Sequence, residues 1–508
     1  MGLEWFNPTN FRPKFPRIST RTMIQWKSSR LLVKGLRYYS TNGAVSNHTL
    51  RLAIIGSGPA GFYTAWRLLK KLPNATIDMY EALPVPFGLS RFGVAPDHPE
   101  VKNCQETFEK VAQSSQFRLV ANVNVGRDLS LHSLSENYNG VIFAYGSRKD
   151  RLLGIPGESL PGVCSARKLV AWYNGLPDYA DLNPPLDQAE DVIIIGNGNV
   201  AMDVARILSF DVSKFKSTDI TEHAYETLKK SKIKRIRVVG RRGLLQSAFT
   251  TKEVRELVSD PKVYVEPISP EYIDPYLPFL PILERPLKRV LEVLKKIPNY
   301  NELRDADHPL RSLYLDYLKS PIRFYESMNN PKLLSSTEFE INTLIQNDLG
   351  DPATTHSTGE TISYKSELVY RSIGYRAEPL PGMEEAGISF DPKLGVIPNN
   401  LGRVIGPHGP IPGFYVSGWV KSGPTGVIAK TMRESFEVAE TLVEDYNSGL
   451  VDKQHKAGFD GLKHLIKSRV VDWQDWQKID KLEIERGRAL GKDREKFNKI
   501  DDMMKVLG

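Results

Sequence analysis

A short apolar strand that runs directly into a glycine-rich turn and a helix occurs twice in this chain, and no other feature constrains its fold as strongly. In the first copy, the strand Arg51–Ile55 leads into the turn GSGPAG and a predicted helix. In this turn Gly56 permits the tight bend, Gly58 lets the backbone approach a pyrophosphate, and Gly61 lets the helix pack on the strand. The free N–H groups of the first helical turn then face the phosphates. This copy predicts a dinucleotide-binding βαβ unit.

The residue at the end of the next strand indicates which ribose the first unit accepts. The strand Thr76–Tyr80 ends in Glu81, twenty residues after Gly61. A carboxylate at this place accepts hydrogen bonds from a ribose 2′-hydroxyl and repels a 2′-phosphate. The first unit therefore suits FAD or NAD.

The second copy repeats the pattern with different chemistry at its strand end. The strand Asp191–Ile195 leads into the turn GNGNVA and a helix predicted from Met202 to about Leu208. The next strand, Ile236–Val239, ends in Gly240-Arg241-Arg242 and carries no acid. Two guanidinium groups grip a 2′-phosphate through paired N–H donors, so this unit suits NADP. The alternative is that both arginines are ordinary surface charge.

The remaining strands predict that the second unit is inserted into the first. Val141–Gly146 and Leu368–Gly374 are strands that end in small-residue turns, as expected where a chain crosses between a flavin and a nicotinamide domain. The strand Phe414–Gly418 precedes Trp419, which packs beside a flavin ring or in plain core, and the helix start Gly423–Ile428. We predict an α/β protein with two Rossmann-like, doubly wound domains: an FAD domain over 47–147 and 371–508, and an NADP domain over 148–370.

The positive charge of the chain is concentrated at its front end. The 508 residues include 68 Lys or Arg and 60 Asp or Glu, a formal net charge of +8. Residues 1–46 contain eight of the basic residues and one acidic residue, so the remainder is nearly neutral. Arginine-rich, acid-poor sequence with interspersed hydroxyl and apolar residues is typical of an organellar transit peptide. We predict a mitochondrial transit peptide over 1–46, the alternative being a disordered basic arm that stays on the mature chain.

The cysteine content restricts the redox chemistry. The chain has two cysteines, Cys104 and Cys164. This number excludes a CxxC redox centre, a disulfide framework and a cysteine-ligated iron–sulfur cluster of its own. Electrons leaving a flavin in this chain therefore pass to an external acceptor. No apolar run approaches the ~18 residues of a membrane-spanning helix.

Several long blocks of the sequence closely resemble the mitochondrial adrenodoxin reductase family, ferredoxin–NADP reductases of the glutathione-reductase-like flavoprotein superfamily. The likeness runs from about Leu52 to the C-terminus, in the blocks Gly56–Leu69, Val85–Asn103, Pro161–Pro177, Gly196–Leu208, Gly240–Thr250, Leu394–Asn399 and Ser417–Ala429. The sequence departs from the family at Asn197, where glutamine is frequent, and in the variable segments Lys262–Ser336 and Asn347–Ser363. The resemblance implies an enzyme that takes a hydride from NADPH onto FAD and passes electrons one at a time to a [2Fe–2S] ferredoxin.

The resemblance also implies site residues, position by position. The residues implied for FAD, including the glycines of the first turn, are Gly56, Gly58, Ala60, Gly61, Glu81, Leu89, Val125, Trp419, Gly426, Val427 and Ile428. Those implied for NADP(H), including the glycines of the second turn, are Gly196, Asn197, Gly198, Asn199, Val200, Arg241, Arg242, Glu253 and Gly426. Those implied for docking the ferredoxin are Arg255, Arg285 and Arg289, the alternative being an ordinary solvated helix. No metal site is implied.

Three acidic or titratable residues have open roles. His98 and Asp203 resemble a polar pair near the flavin, and such a pair can relay protons. Hydride transfer to a flavin needs no protein base, however, so a domain-bridging structural role is the alternative. Glu253 would repel a phosphate, so it takes ribose hydroxyls, orients an arginine, or is an exposed helix charge.

Two other classes of function stay open at this point. One is a flavin monooxygenase or diaphorase that reduces oxygen or quinones directly, and the other is a non-catalytic NADP-sensing module. For the reductase, the expected partner is an acidic, adrenodoxin-like [2Fe–2S] ferredoxin that feeds iron–sulfur cluster assembly, haem modification or P450 hydroxylation. We expect a monomer in the mitochondrial matrix that binds no nucleic acid, with peripheral association with the inner membrane left open.

Overall fold

The computed structural model describes residues 49–302, 311–345 and 353–508, so the transit-peptide prediction for 1–46 lies outside the described residues. In chain order, the strands β1–β18 are Leu50–Ile55, Ala75–Tyr80, Phe117–Val120, Gly140–Phe143, Lys149–Asp150, Val163–Ser165, Asp191–Ile195, Arg235–Val239, Val263–Val265, Arg311–Asp316, Lys319–Glu326, Leu334–Ile345, Thr354–Lys365, Leu368–Arg371, Tyr375–Arg376, Asn399–Asn400, Arg403–Gly406 and Gly409–Val416. The α-helices α1–α17 are Pro59–Lys71, Leu89–Phe92, Pro99–Lys102, Cys104–Ala112, Leu131–Asn137, Ala166–Tyr173, Asn199–Ser209, Glu222–Lys229, Thr251–Ser259, Pro270–Ile273, Arg285–Lys295, Ile297–Glu302, Trp419–Ser422, Ile428–Ser448, Phe459–Leu462, Trp473–Ala489 and Ile500–Lys505.

A seven-stranded sheet, in the order β16-β17-β18-β4-β1-β2-β3, forms the first half of the fold. Its strands from β18 to β3 are parallel, and β16 and β17 extend it in antiparallel fashion. Leu52 and Ile54 of β1 point to one face and Ala53 to the other, and all three are buried. A strand buried on both faces needs apolar residues at every position, which explains the continuous apolar run at β1.

A six-stranded parallel sheet, in the order β6-β14-β7-β8-β10-β9, forms the second half. All of its strands lie between β4 and β16 in the sequence, so the second sheet is inserted into the first. The prediction of two doubly wound units, one inside the other, is confirmed. An antiparallel sheet of β11, β12 and β13 adjoins the second half.

The two crossings between the halves lie side by side. The strand β5 pairs antiparallel with β15, with Asp150 opposite Tyr375 and Lys149 opposite Arg376. The outgoing and returning chain are therefore joined by a two-stranded ribbon, directly after β4 and after β14.

The C-terminal segment connects both halves a second time. Helix α16 lies on the first half, where Trp476 meets the edge of Phe87 at a centroid distance of 5.8 Å. Beyond this helix, the Lys496 ammonium lies 2.8 Å from the Asp219 carboxylate of the inserted half, which also binds Lys102 at 2.6 Å. Burial lowers the pKa of Lys496 to about 7, because desolvation outweighs the attraction of Asp219.

Candidate functional site

The first glycine turn has the backbone shape that its sequence predicts. Gly56 has φ +107°, and a β-carbon there would lie 2.6 Å from the Ala144 carbonyl oxygen. A β-carbon on Gly61 would collide with the Gly56 carbonyl, whereas nothing lies within 4 Å of that position on Gly58. The turn is therefore closed on the side of the sheet and open at Gly58. Helix α1 begins next with Pro59, which needs no N–H partner at this place.

The carboxylate of Glu81 lies beside this turn. It accepts hydrogen bonds from the Ser57 hydroxyl at 2.7 Å and the Ser57 N–H at 3.2 Å, and a further one from the Leu83 N–H at 3.1 Å. These bonds fix the acid at the end of β2, next to the glycine turn. A carboxylate held there can accept a ribose hydroxyl, as the sequence pattern requires.

Two other loops close on the same turn. A β-carbon on Gly88 would lie 3.1 Å from the Gly58 Cα, and one on Gly418 would overlap the Ala60 side chain. The residues that follow these glycines, Leu89 and Trp419, therefore flank the turn. Leu89 keeps 36% of its surface exposed although it is apolar.

The start of helix α14 belongs to the same region. Thr64 of α1 and Ser417, after β18, share a hydrogen bond of 3.0 Å, and α14 packs along α1. Helix α14 begins at Ile428, with Val427 as its N-cap and 52% of that valine exposed. Free N–H groups and exposed apolar side chains beside a glycine turn fit an adenine–flavin dinucleotide. Val125 lies in the loop after β3, with its side chain buried in the core.

The second glycine turn is tied to a loop of the inserted half. Gly196 has φ +115°, and a β-carbon there would collide with the Ser372 carbonyl. The Ala248 N–H donates to the Asn197 carbonyl at 2.8 Å, and the Thr250 N–H donates to the Asn199 Oδ1 at 2.8 Å. The turn and the loop before α9 therefore hold each other in place. Val200 is the second residue of α7.

Arg241 and Arg242 follow β8 with their backbone fixed and their side chains exposed. The Arg241 carbonyl accepts from the Asn342 amide at 3.1 Å, and the Arg242 carbonyl accepts from the Leu318 N–H at 3.2 Å. Neither guanidinium forms an ion pair within the described residues. Two arginines after β8 that form no ion pair among the described residues fit a nucleotide with a 2′-phosphate.

A buried guanidinium joins the predicted polar pair. Arg206 of α7 donates through Nη2 to Asp203 at 2.7 Å, and the same nitrogen lies 3.2 Å from the His98 Nδ1. It also donates to Asp97 at 2.7 Å and, through Nη1, to Glu253 at 3.1 Å. His98 and Asp203 are thus connected through an arginine, and Glu253 points to that arginine as well. We call these five residues the Arg206 cluster.

Sequence reasoning missed Asp97 and Arg206 of this cluster, and it missed Glu256, which lies beside it. The His98 Nε2 lies 2.7 Å from the Glu256 carboxylate, and a cavity of about 400 Å³ reaches both residues. A signal was present in the sequence, because an arginine in the middle of an apolar helix must find carboxylate partners when it is buried. The partners themselves lie on other elements and are not marked by any motif.

Burial changes the titration of the cluster. Desolvation raises the pKa of Asp203 to about 6, against the attraction of Arg206 and with the help of the neighbouring Glu253 charge. The ligand atoms of His98, Asp203 and Glu253 lie within 4.8 Å of one another, a spacing that a metal ion could bridge. The Arg206 guanidinium already forms hydrogen bonds with all three side chains, so we assign no metal to them.

The predicted docking arginines lie on two packed helices. Arg285 and Arg289 are one turn apart on α11, both exposed, and Arg255 is exposed on α9, against which α11 packs. In the part of the chain that the structure describes, no helix has both the length and the apolar character needed to cross a bilayer.

Comparison with known proteins agrees with this geometry. Residues 50–260 match the family model described as pyridine nucleotide-disulphide oxidoreductase. FprA of Mycobacterium tuberculosis, solved in complex with NADPH, superposes with a TM-score of 0.81 at 35% identity, covering 90% of this chain and all of that one. Both cysteines of this chain, Cys104 and Cys164, are free.

Curated relatives extend over nearly the whole sequence. A protein of Schizosaccharomyces pombe named probable NADPH:adrenodoxin oxidoreductase, mitochondrial, is 42% identical over 464 residues, or 90% of this chain and 95% of that protein. The Homo sapiens protein named NADPH:adrenodoxin oxidoreductase, mitochondrial, is 42% identical over 473 residues, or 91% of this chain and 92% of that one. Because this identity extends over full-length relatives, the chain belongs to the NADPH:adrenodoxin oxidoreductase family.

Proposed function

We propose that this protein oxidises NADPH and reduces an acidic, adrenodoxin-like [2Fe–2S] ferredoxin in the mitochondrial matrix, with FAD as its resident cofactor. One observation carries the proposal. The two glycine turns follow β1 and β7, and the side chains at the end of the next strand are acidic in the first case and basic in the second. The first has the carboxylate of Glu81, and the second is followed by the unpaired Arg241 and Arg242. When bound, FAD accepts a hydride from NADPH and releases electrons singly.

The first half supplies the FAD site. Glu81 holds the adenosine ribose through its 2′-hydroxyl, and Gly56, Gly58 and Gly61 leave room for the pyrophosphate. The N-terminus of α14, at Gly426, Val427 and Ile428, donates N–H groups to the edge of the flavin ring. Ala60, Leu89 and Trp419 complete the lining, and Val125 would contribute its backbone, because its side chain is buried in the core.

The inserted half supplies the NADP(H) site. The turn Gly196–Val200 takes the pyrophosphate, and Arg241 with Arg242 takes the 2′-phosphate through charge-assisted hydrogen bonds. Gly426 of the first half would contribute to the binding of both FAD and NADP(H). We assign the half boundaries to residues 147 and 370, which precede the paired strands β5 and β15, respectively.

The Arg206 cluster bridges the two halves. Asp97 and His98 belong to the first half, whereas Asp203, Arg206 and Glu253 belong to the inserted half. This placement supports a structural role for His98 and Asp203, since Asp203 and the His98 Nδ1 bond to Arg206 and the His98 Nε2 bonds to Glu256 of the inserted half. Glu253 orients the arginine and thereby reaches the NADP(H) site only indirectly.

The ferredoxin docks on the exposed arginines of α9 and α11, which are Arg255, Arg285 and Arg289. Exposed cations contribute little static affinity, but they accelerate the encounter with an acidic protein. We expect a monomer, since one chain contains both nucleotide sites and the docking surface and needs no second copy to complete them.

Stopped-flow spectroscopy of the purified protein tests this function. NADPH should bleach the visible flavin absorption, and an added [2Fe–2S] ferredoxin should restore it. Reduction of cytochrome c should then depend on the ferredoxin. Equal oxidation by oxygen or quinones without ferredoxin would identify a diaphorase, and a chain without NADPH-dependent bleaching would be a nucleotide-binding module only.

A further inference from the structure

A cavity of about 450 Å³ lies between helix α11 and the loop that leads into α9. Its lining is predominantly apolar. Leu245, Phe249 and Val290 contribute to it and are themselves buried, and Leu287 adds a half-buried side chain from α11. The cavity is distinct from both glycine turns, since none of their residues lines it.

The rim of this cavity is basic. Arg285 and Arg289 line it from α11, and neither has an ion-pair partner among the residues that the structure describes. Lys252 lines the opposite wall, where it is paired with Glu100 at 2.5 Å. Two unpaired guanidinium groups beside an apolar lining complement a surface that presents carboxylates around an apolar side chain.

We propose, on the basis of the ferredoxin reductase function above, that this cavity receives an aromatic or long aliphatic side chain of the acidic ferredoxin. Carboxylates next to that side chain pair with Arg285 and Arg289 at the rim. The exposed arginines and the apolar cavity have different roles in docking. Exposed charges govern the encounter rate, whereas an apolar anchor in a dry pocket provides the lasting affinity.

The nearest alternative occupant is the nucleotide, because the cavity and the second glycine turn share a wall. The loop residues Ala248 and Thr250 line the cavity, and their N–H groups bond to Asn197 and Asn199. A test must therefore change the cavity from the side of α11. Leu287 is the suitable position, since it lines the cavity and lies on the helix away from this loop.

The test compares two Leu287 variants with a control. Leu287→Trp fills the cavity, and Leu287→Gln keeps the size of the side chain but makes the lining polar, so it serves where the tryptophan prevents folding. Leu450→Trp, at an exposed leucine after α14, is the control for a surface tryptophan. We expect the Michaelis constant for ferredoxin to rise roughly ten- to a hundredfold for Leu287→Trp and several-fold for Leu287→Gln. The control should leave that constant unchanged.

Ionic strength separates the anchor from the charges. The effect of the Leu287 variants should persist at high salt, because apolar burial is not screened. The effect of an Arg285→Glu, Arg289→Glu double variant should shrink as salt is added. Loss of ferredoxin reduction in the arginine variant, with normal ferredoxin constants in both Leu287 variants, would overturn the anchor and leave the reductase function intact. A wild type that reduces no ferredoxin would reject the function itself.

Two further measurements would reveal a different occupant of the cavity. A raised Michaelis constant for NADPH in the Leu287 variants, measured with ferricyanide, would place the nucleotide there. A changed oligomeric state in sedimentation, with an unchanged ferredoxin constant, would place a second copy of the chain there. Either result contradicts the proposal.

Discussion

The Arg206 guanidinium of helix α7 donates to the Asp97 carboxylate at 2.7 Å across the junction of the two nucleotide-binding halves. The donor side chain is 1% exposed, and its other acceptors are Asp203, Glu253 and the His98 ring. A single buried cation therefore compensates several carboxylates from two domains. Arg206 is therefore one of the contacts that fix the two nucleotide sites relative to each other, together with the paired strands β5 and β15 and the ion pairs at Asp219.

Replacing Arg206 should lower the free energy of unfolding substantially. Arg206→Met leaves buried carboxylates without a counter-ion, and breaking a buried network in this way costs about 3–5 kcal/mol. Arg148→Met is the matched control, since Arg148 pairs with Asp178 at 2.9 Å in an exposed position and should cost only ~0–1 kcal/mol. Urea unfolding followed by circular dichroism measures both. Similar losses for the two variants would show that the cluster contributes no more than a surface pair.

The two glycine turns and the strands around them could be predicted, and the Arg206 cluster could not. Glycine spacing and apolar runs act within a few residues, so β1 and β7 lie where the sequence placed them. The start of α7 was predicted at Met202 and lies at Asn199, because asparagine and valine are weak helix formers and conceal a helix that begins directly after Gly198. Local pattern was sufficient for the two glycine-turn units, but it did not indicate the antiparallel sheet of β11, β12 and β13.

The cluster depends on contacts that no local pattern encodes. Asp97 and Arg206 are 109 positions apart, and Glu256 lies on a third element. The resemblance to a family indicated His98 and Asp203 as a pair, but it did not reveal the arginine between them. The connection from Lys496 to Asp219 was missed for the same reason, since the pairing of distant charges is decided by the packing of whole domains.

The ion pairs at Asp219 predict that replacing Asp219 destabilises the protein more than replacing its partner Lys496. Asp219→Ala leaves the half-buried Lys102 and the buried Lys496 without the carboxylate that both bind, and should cost about 3–5 kcal/mol. Lys496→Met leaves the pair of Lys102 and Asp219 intact and replaces a desolvated cation with an apolar side chain, so it should cost under about 1 kcal/mol. Chemical denaturation of both variants checks this order. Equal destabilisation would mean that the Lys496 charge is itself required.

The raised pKa of Asp203 predicts a dependence of stability on pH. Between the ordinary value of 3.8 and about 6, the folded protein binds the proton of this carboxyl more tightly than the unfolded chain does. The free energy of unfolding therefore falls as pH rises through this window, by up to ~3 kcal/mol in total. In Asp203→Asn this contribution is absent, so stability relative to the wild type should improve as pH rises from about 4 to about 7.

Asp211, in the same domain, is a control because its contribution to stability changes with pH in the opposite direction. Lys262 lies 2.6 Å from Asp211 and lowers the pKa of that carboxyl. The stabilisation from this pair is present above the ordinary pKa and is lost as the pH falls through the lowered one. Asp211→Asn should therefore lose stability relative to the wild type as pH rises from strongly acidic values. Parallel slopes for the two variants in urea titrations would contradict the assigned directions.

The arginines after β8 predict which nucleotide the protein prefers. Neutral replacements of Arg241 and Arg242 should raise the Michaelis constant for NADPH and leave that for NADH nearly unchanged, because NADH has no 2′-phosphate to lose. Each charge-assisted contact contributes about 1.5–3 kcal/mol, or roughly ten- to a hundredfold in the constant. Arg237→Gln is the matched control: this arginine lies on β8 itself and pairs with Asp316 at 3.1 Å, so it should affect both nucleotides equally. Ferricyanide reduction with each nucleotide measures the constants. If the Michaelis constants for NADPH and NADH rise equally in the Arg241 and Arg242 variants, these arginines do not bind the 2′-phosphate. A general disturbance of the sheet would affect both nucleotides in this way, because it does not depend on the 2′-phosphate.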